Sequence, residues 1–235
     1  KNFYDPRNRI LVMAGHLDVG AIKKLLKTYD QKHERKNLEV TCMLPSEPKS
    51  IVAARKVFKK DVGIPKLMMG VKLALPFKNQ KRLVQIEMTF QLILNMLFGN
   101  ASVLKELWTQ KSYINTDFYA TTHFETGAQH LIVYSETMYA KILEAEIKAA
   151  LLKSDAYLNQ AMFEMEKKAY LGQFVFALNQ LEYQTSLYRK YAHLGLSLYD
   201  VIDLLSAIDF EKVKSAIQWI KEKQIAVVIY QKTKS

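Results

Sequence analysis

The chain has 235 residues, 49% of them hydrophobic, and carries 34 Lys and Arg against 23 Asp and Glu, a formal net charge of +11. That is enough apolar material for a buried core in one large domain or two small ones, and no apolar stretch approaches the ~18 residues of a membrane span. Cys42 is the only cysteine, which excludes an internal disulfide and thiolate-rich zinc sites and points to a reducing compartment, the cytoplasm.

The opening KNFYDPRNR has neither an initiator Met nor an apolar signal core, so it reads as an interior or processed segment. RILVMAG, residues 9–15, reads as a strand ending in Gly. Asp18 then opens a helix with Ile22, Leu25, Leu26 and Tyr29 on one face. Residues 31–49 are charged and contain Pro45 and Pro48, a connection with room for a short strand at Leu38–Leu44. KLMMGVKLALP, residues 66–76, predicts a second strand stopped by Pro76. Asn79–Phe98 predicts a helix apolar around most of its circumference and therefore deeply buried, ended by Gly99. A shorter helix runs from Ser102 to Lys111.

THFETGAQHLIVYSE, residues 122–136, predicts a hairpin turning at Thr126-Gly127, with strands near Thr116–Glu125 and Gln129–Glu136. This register sets His123 against His130, Phe124 against Gln129, Leu131 against Thr122 and Val133 against Ala120. The apolar residues then share the inner face and the histidines the outer one. Helices follow at Met138–Leu152, Asp155–Leu194, Leu198–Ser206 and Phe210–Glu222, and IAVVIY closes the chain as a strand. The expectation is a single α+β domain over residues 1–235, with a mainly antiparallel sheet backed by helices on one face.

The cations are spread along Lys23–Lys36, Lys49–Lys72, Lys78–Arg82, Lys148–Lys168 and Lys212–Lys234, with no Arg-rich run interleaved with aromatics. This is the pattern of a solvated surface rather than of a nucleic-acid channel. Two imidazoles facing each other across the hairpin, with Glu125 on the same face, have the residue types of a zinc site but lack a third ligand fixed by spacing. Polar histidines on the outer face of a hairpin, or at a contact with another domain, are the preferred reading. His16, His33 and His193 have no partner at ligand spacing, and Cys42 has no histidine at readable spacing. Neither H-x-x-E-H nor H-E-x-x-H occurs, and the glycines form no phosphate-binding loop. Glu87, Gln91 and Asn95 make an i, i+4, i+8 polar row on the apolar helix, facing either a cleft or solvent.

Three stretches in order resemble the insulinase-like zinc metallopeptidases, the group that includes pitrilysin and the mitochondrial processing peptidases. FYDPRNRILVMAGHLDV resembles the start of their domains. MLFGNASVLKELWTQKSYINTDFYA is similar to the L-F-G, short helix and hairpin segment of their C-terminal domains. FEMEKKAYLGQFVFALNQLEYQTSLYRKYAHLGLSLYDVIDLLSAIDFEKV is similar to their late helices. The resemblance implies the LuxS/MPP-like metallohydrolase fold, with paired α+β domains closing around a peptide.

In that family zinc sits in the N-terminal domain, on an H-x-x-E-H motif with a further Glu. Aligning MLFG with the residues that follow the motif puts Gln91 and Asn95 at the histidine positions and Leu94 at the catalytic Glu. Amides and a Leu cannot replace imidazoles and a base. An Arg and a Tyr of the family's C-terminal domains help to hold substrate; the matching positions are Trp108 and Asn115. The resemblance therefore implies a bacterial C-terminal domain with no catalytic or metal-ligating residue of its own. Gln91, Asn95, Trp108 and Asn115 would be its cleft-lining residues. Zinc is expected in the parent's N-terminal domain. The implied partners are that domain, a homologous subunit and peptide substrate, with no membrane or nucleic acid. The alternative is a structural or peptide-binding subunit of a parent that has lost zinc and proteolytic activity.

Overall fold

The computed structural model describes residues 9–32, 47–76, 79–125 and 127–232. Leu38–Leu44, Cys42, His33 and Thr126 lie outside them. The chain divides into two compact units, one formed by residues 1–44 and 173–201 and the other by residues 45–172 and 202–235.

The larger unit contains the sheet. Its strands are β1 (Arg55–Lys60), β2 (Lys66–Leu73), β3 (Tyr119–Glu125), β4 (Ala128–Glu136) and β5 (Ile225–Lys232), in the order β1-β5-β2-β4-β3. Only β1 and β5 run parallel; every other pairing is antiparallel. The hairpin register is the one the alternation requires, with His123 opposite His130, Thr122 opposite Leu131 and Ala120 opposite Val133. One face of the sheet is the core. Leu67, Met69, Val71 and Leu73 of β2, Leu131 and Val133 of β4, and Ile225, Val227 and Ile229 of β5 are all buried. Side chains of this kind contribute about 1.5–3 kcal/mol each on full burial.

Helix α2 (Gln80–Phe98) lies against β3 on that face. Asn79 caps it, its side chain accepting from the Arg82 N–H at 3.1 Å. Eleven of its nineteen residues are buried, which leaves only a narrow polar strip. Gly99 ends it, at φ −73°, with no left-handed turn. What demands glycine there is proximity: the Gly99 N–H donates to the Asn95 carbonyl at 2.7 Å, and a Cβ would collide with that same carbonyl. Helix α3 (Val103–Gln110) follows, capped by the Ser102 hydroxyl.

Helix α4 (Ala140–Leu152) starts two residues later than its apolar pattern, because Thr137 Oγ1 accepts the Tyr139 N–H at 2.9 Å and holds a turn there. Helix α5 (Gln160–Ala177) and helix α6 (Leu181–Ala192) make up the long helical region expected over Asp155–Leu194. Asp155 instead lies in a 3-10 turn, and Asn159 caps α5 through the Met162 N–H at 2.9 Å. The break after Ala177 is held by 3-10-type bonds and by the Gln184 amide, which donates to the Leu178 carbonyl. Helix α7 (Leu198–Ser206) has the expected bounds, whereas α8 (Phe210–Ile217) stops short of Glu222, which begins a second 3-10 turn.

The smaller unit holds α1 (Val19–Lys32), α6 and the adjoining ends of α5 and α7. Asp18 caps α1 through the Ala21 N–H at 2.9 Å. Gly195, at φ +69°, closes α6, and Ser197 with Asp200 forms a reciprocal capping pair at the start of α7. Residues 9–15, expected as a strand, join no ladder among the described residues and leave Leu11 63% exposed. Apolar alternation cannot supply the neighbouring strand that a ladder needs. No helix among the described residues is long and apolar enough to cross a membrane.

Candidate functional site

The polar strip of α2 meets β3 at one point. The Gln91 side-chain amide donates to Asn95 Oδ1 at 2.9 Å, and its own oxygen accepts from Thr122 Oγ1 at 3.4 Å. Gln91 and Asn95 are half-buried, and Leu94 between them is 1% exposed. The two amides thus satisfy each other and the hairpin. Such a closed pair costs little to half-bury, because its polar groups keep their partners.

Trp108 and Asn115 are not brought to the same place. Trp108 is fully buried: its ring stacks on Phe98 at 5.7 Å, meets Phe118 edge-on at 5.9 Å, and its Nε1 donates to Glu146 at 3.4 Å. It presents no surface. Asn115 is exposed and shapes the turn before β3, its Oδ1 accepting the Asp117 N–H at 2.9 Å.

Among the described residues no helix is packed on the opposite face of the sheet. In register order that face carries Phe58 beside Tyr230, Tyr230 beside Lys66, and Lys66 beside Glu136. The next row holds Lys56, Val228, Met68, Tyr134 and Tyr119, and a further row Lys72, His130 and His123. Three aromatic pairs stack across strands: Phe58 on Tyr230 at 5.3 Å, Tyr119 on Tyr134 at 5.2 Å and His123 on His130 at 5.2 Å. Lys66 Nζ lies 2.8 Å from Glu136 Oε1, which also accepts from the Tyr134 hydroxyl at 3.1 Å. These bonds hold the Glu136 carboxyl below its ordinary range and Lys66 above its own. Burial, followed by the bond to Glu136, pushes the Tyr134 hydroxyl up. This trio escaped the sequence reading because its members come from two strands whose pairing no local pattern specifies.

The two imidazole rings lie only 14° from parallel. Lone pairs lie in the plane of the ring, so stacked rings direct them side by side, whereas a shared zinc needs them to converge at about 2.0–2.1 Å. Burial depresses His130, His123 and Lys72 add to the depression, and Glu125 opposes it. The folded value is therefore below the unfolded one, about 6.5. It follows that the unfolded chain binds more protons as the pH drops through this range, and stability present above about pH 6.5 is lost as the pH falls through the folded value. Chemical denaturation at pH 7.5 and pH 5.0 should show this loss, and His130→Phe should reduce it. An unchanged pH dependence in the variant would contradict the assignment.

A protein of Bacillus subtilis named uncharacterized zinc protease YmfH is 31% identical over 224 residues, covering 93% of this chain and 51% of that protein. A solved M16-like peptidase from Alicyclobacillus acidocaldarius superposes with a TM-score of 0.87 at 19% identity, over 94% of this chain and 53% of the other. The chain is similar in sequence to a protein named as a zinc protease and shares the fold of M16-like peptidases. No protein-family model matches it. An M16 inactive domain from Pseudomonas fluorescens shares the fold at a TM-score of 0.62 and 13% identity, over 94% of this chain and 51% of that one. The chain spans about half the length of the curated relative it matches.

Zinc is the metal that the name of the Bacillus relative carries. Gln91, Leu94 and Asn95 do not fit it. The amides are neutral, weakly basic and engaged with each other and with Thr122. Leu94 supplies no donor atom and points into the core. Among the described residues no three His, Cys, Asp or Glu side chains are grouped to hold an ion.

Proposed function

We propose that this chain is the zinc-free, C-terminal half of an M16-type metallopeptidase, completing the peptide chamber by packing against a zinc-carrying half. What supports this reading is α2: the resemblance sets Gln91 and Asn95 at the family's histidine positions and Leu94 at its glutamate, and here the two amides are bonded to each other and the leucine is buried. The relative matched over half its length supplies room for a second domain. We place the protein in the cytoplasm because Cys42 is its only cysteine.

The test is co-expression of the tagged chain with the remaining half of the full-length protein. Co-purification as a stoichiometric complex is the expected result. Two halves that elute separately at micromolar concentration would contradict it.

A further inference from the structure

The sheet face opposite the core has a charge pattern of its own. Lys60 of β1 lies directly opposite Lys232 of β5, and Lys56 lies four residues along on the same face. All three are exposed. Like charges placed opposite each other on neighbouring strands repel, and no ion pair to these three exists among the described residues. Lys66 and Lys72 share the face, Lys66 paired with Glu136 and Lys72 with Glu47 at 2.9 Å. Five lysines therefore stand on this surface, and its strands contribute two carboxylates, Glu125 and Glu136. Between the cations lie Phe58, Met68 and Tyr119, which are 39%, 37% and 48% exposed, and the stacked Tyr230 and Tyr134.

A flat aromatic surface rimmed by unneutralised ammonium groups binds extended chains that carry both carboxylates and apolar side chains. The aromatics supply area, and the lysines select the sign of charge. We propose that this face is a recognition surface for acidic, aromatic-containing peptide segments, with Lys56, Lys60 and Lys232 as the charge-selecting residues. The proposal rests on the chamber reading above and adds the substrate class to it. The chamber reading, in which the chain meets peptide, favours a peptide over a nucleic acid as the occupant, and the aromatic rows offer area to its apolar side chains.

The test measures fluorescence anisotropy of labelled peptides on the intact chain. The peptides are about eight residues long, enough for an extended chain to cross five strands spaced about 4.8 Å apart. One alternates Glu with Phe or Tyr, a second replaces Glu by Lys, and a third by Gln; a single-stranded oligonucleotide is the fourth probe. The acidic peptide should bind about tenfold more tightly than the basic one, with an affinity that falls as salt rises. Combined Lys56→Glu, Lys60→Glu and Lys232→Glu should invert that preference. Lys24→Glu with Lys153→Glu and Lys223→Glu, an equal charge change elsewhere, should leave it intact. Unchanged circular dichroism and Tm verify that both variants fold. Equal binding of acidic and basic peptides, no peptide binding, or tighter binding of the oligonucleotide would each overturn the proposal. If the two halves still co-purify, such a failure removes the acidic preference and leaves the chamber reading standing.

Discussion

Trp108→Ala is expected to destabilise the larger unit by about 3–5 kcal/mol, the cost of emptying a large aromatic site in a packed core. Trp108 is 0% exposed and joins three elements: it stacks on Phe98 at the end of α2, meets Phe118 ahead of β3, and donates to Glu146 on α4. Truncation removes all these contacts and leaves the Glu146 carboxylate without that donor. Trp108→Phe keeps a ring in the site and loses only the N–H, so it should cost about 1–3 kcal/mol. Urea unfolding separates the two variants, with the midpoint falling while the slope stays constant. A Trp108→Ala midpoint equal to that of the parent chain would show that this cluster does not support the fold.

Leu94→Glu is the second large effect. The resemblance sets this position against the glutamate that activates water in insulinase-like catalytic domains; here the side chain is 1% exposed. A carboxylate placed there would stand in a packed apolar core, among buried Phe90, Ile93 and Leu97 of the same helix. It must stay protonated or open the core, and either course costs about 4 kcal/mol or more. Leu94→Met conserves volume and should cost less than about 1.5 kcal/mol. Thermal unfolding of the two variants at neutral pH is the measurement. If Leu94→Glu melts with the parent chain, the position opens onto water and the description of α2 as a closed helix fails.

How much of this was legible in the sequence depends on whether the determinant is local. The hairpin register was readable because alternation admits one pairing that buries Leu131 and Val133 together, and a slip of one residue would expose both. Helix α2 was readable from its apolar circumference and from Asn79 and Gly99 at its ends. By contrast, β1 gave no signal. RKVFKK is exposed along its whole length and is a strand only because β5 pairs with it. The reverse holds at residues 9–15, where a strand-like pattern joins no ladder among the described residues. The break between α5 and α6 depends on the Gln184 side chain reaching back to Leu178, which periodicity does not encode.

The candidate site divides in the same way. Gln91 and Asn95 are four residues apart on one helix, so their proximity follows from helical geometry. That they close on each other and on Thr122 required the fold. Trp108 was read from an aligned position and is a core residue by packing. The Lys60–Lys232 opposition joins residues more than half the chain apart, and only the parallel pairing of β1 with β5 creates it.

The central claim, that this half carries no hydrolytic site, is tested most directly by peptide cleavage in the presence of zinc, with the purified chain alone and with the remaining half of the full-length protein. The account predicts no chelator-sensitive cleavage by the chain alone and chelator-sensitive cleavage once the other half is added. Chelator-sensitive cleavage by this chain alone, abolished by His123→Ala or His130→Ala, would contradict it and place a metal site on the outer face of the sheet.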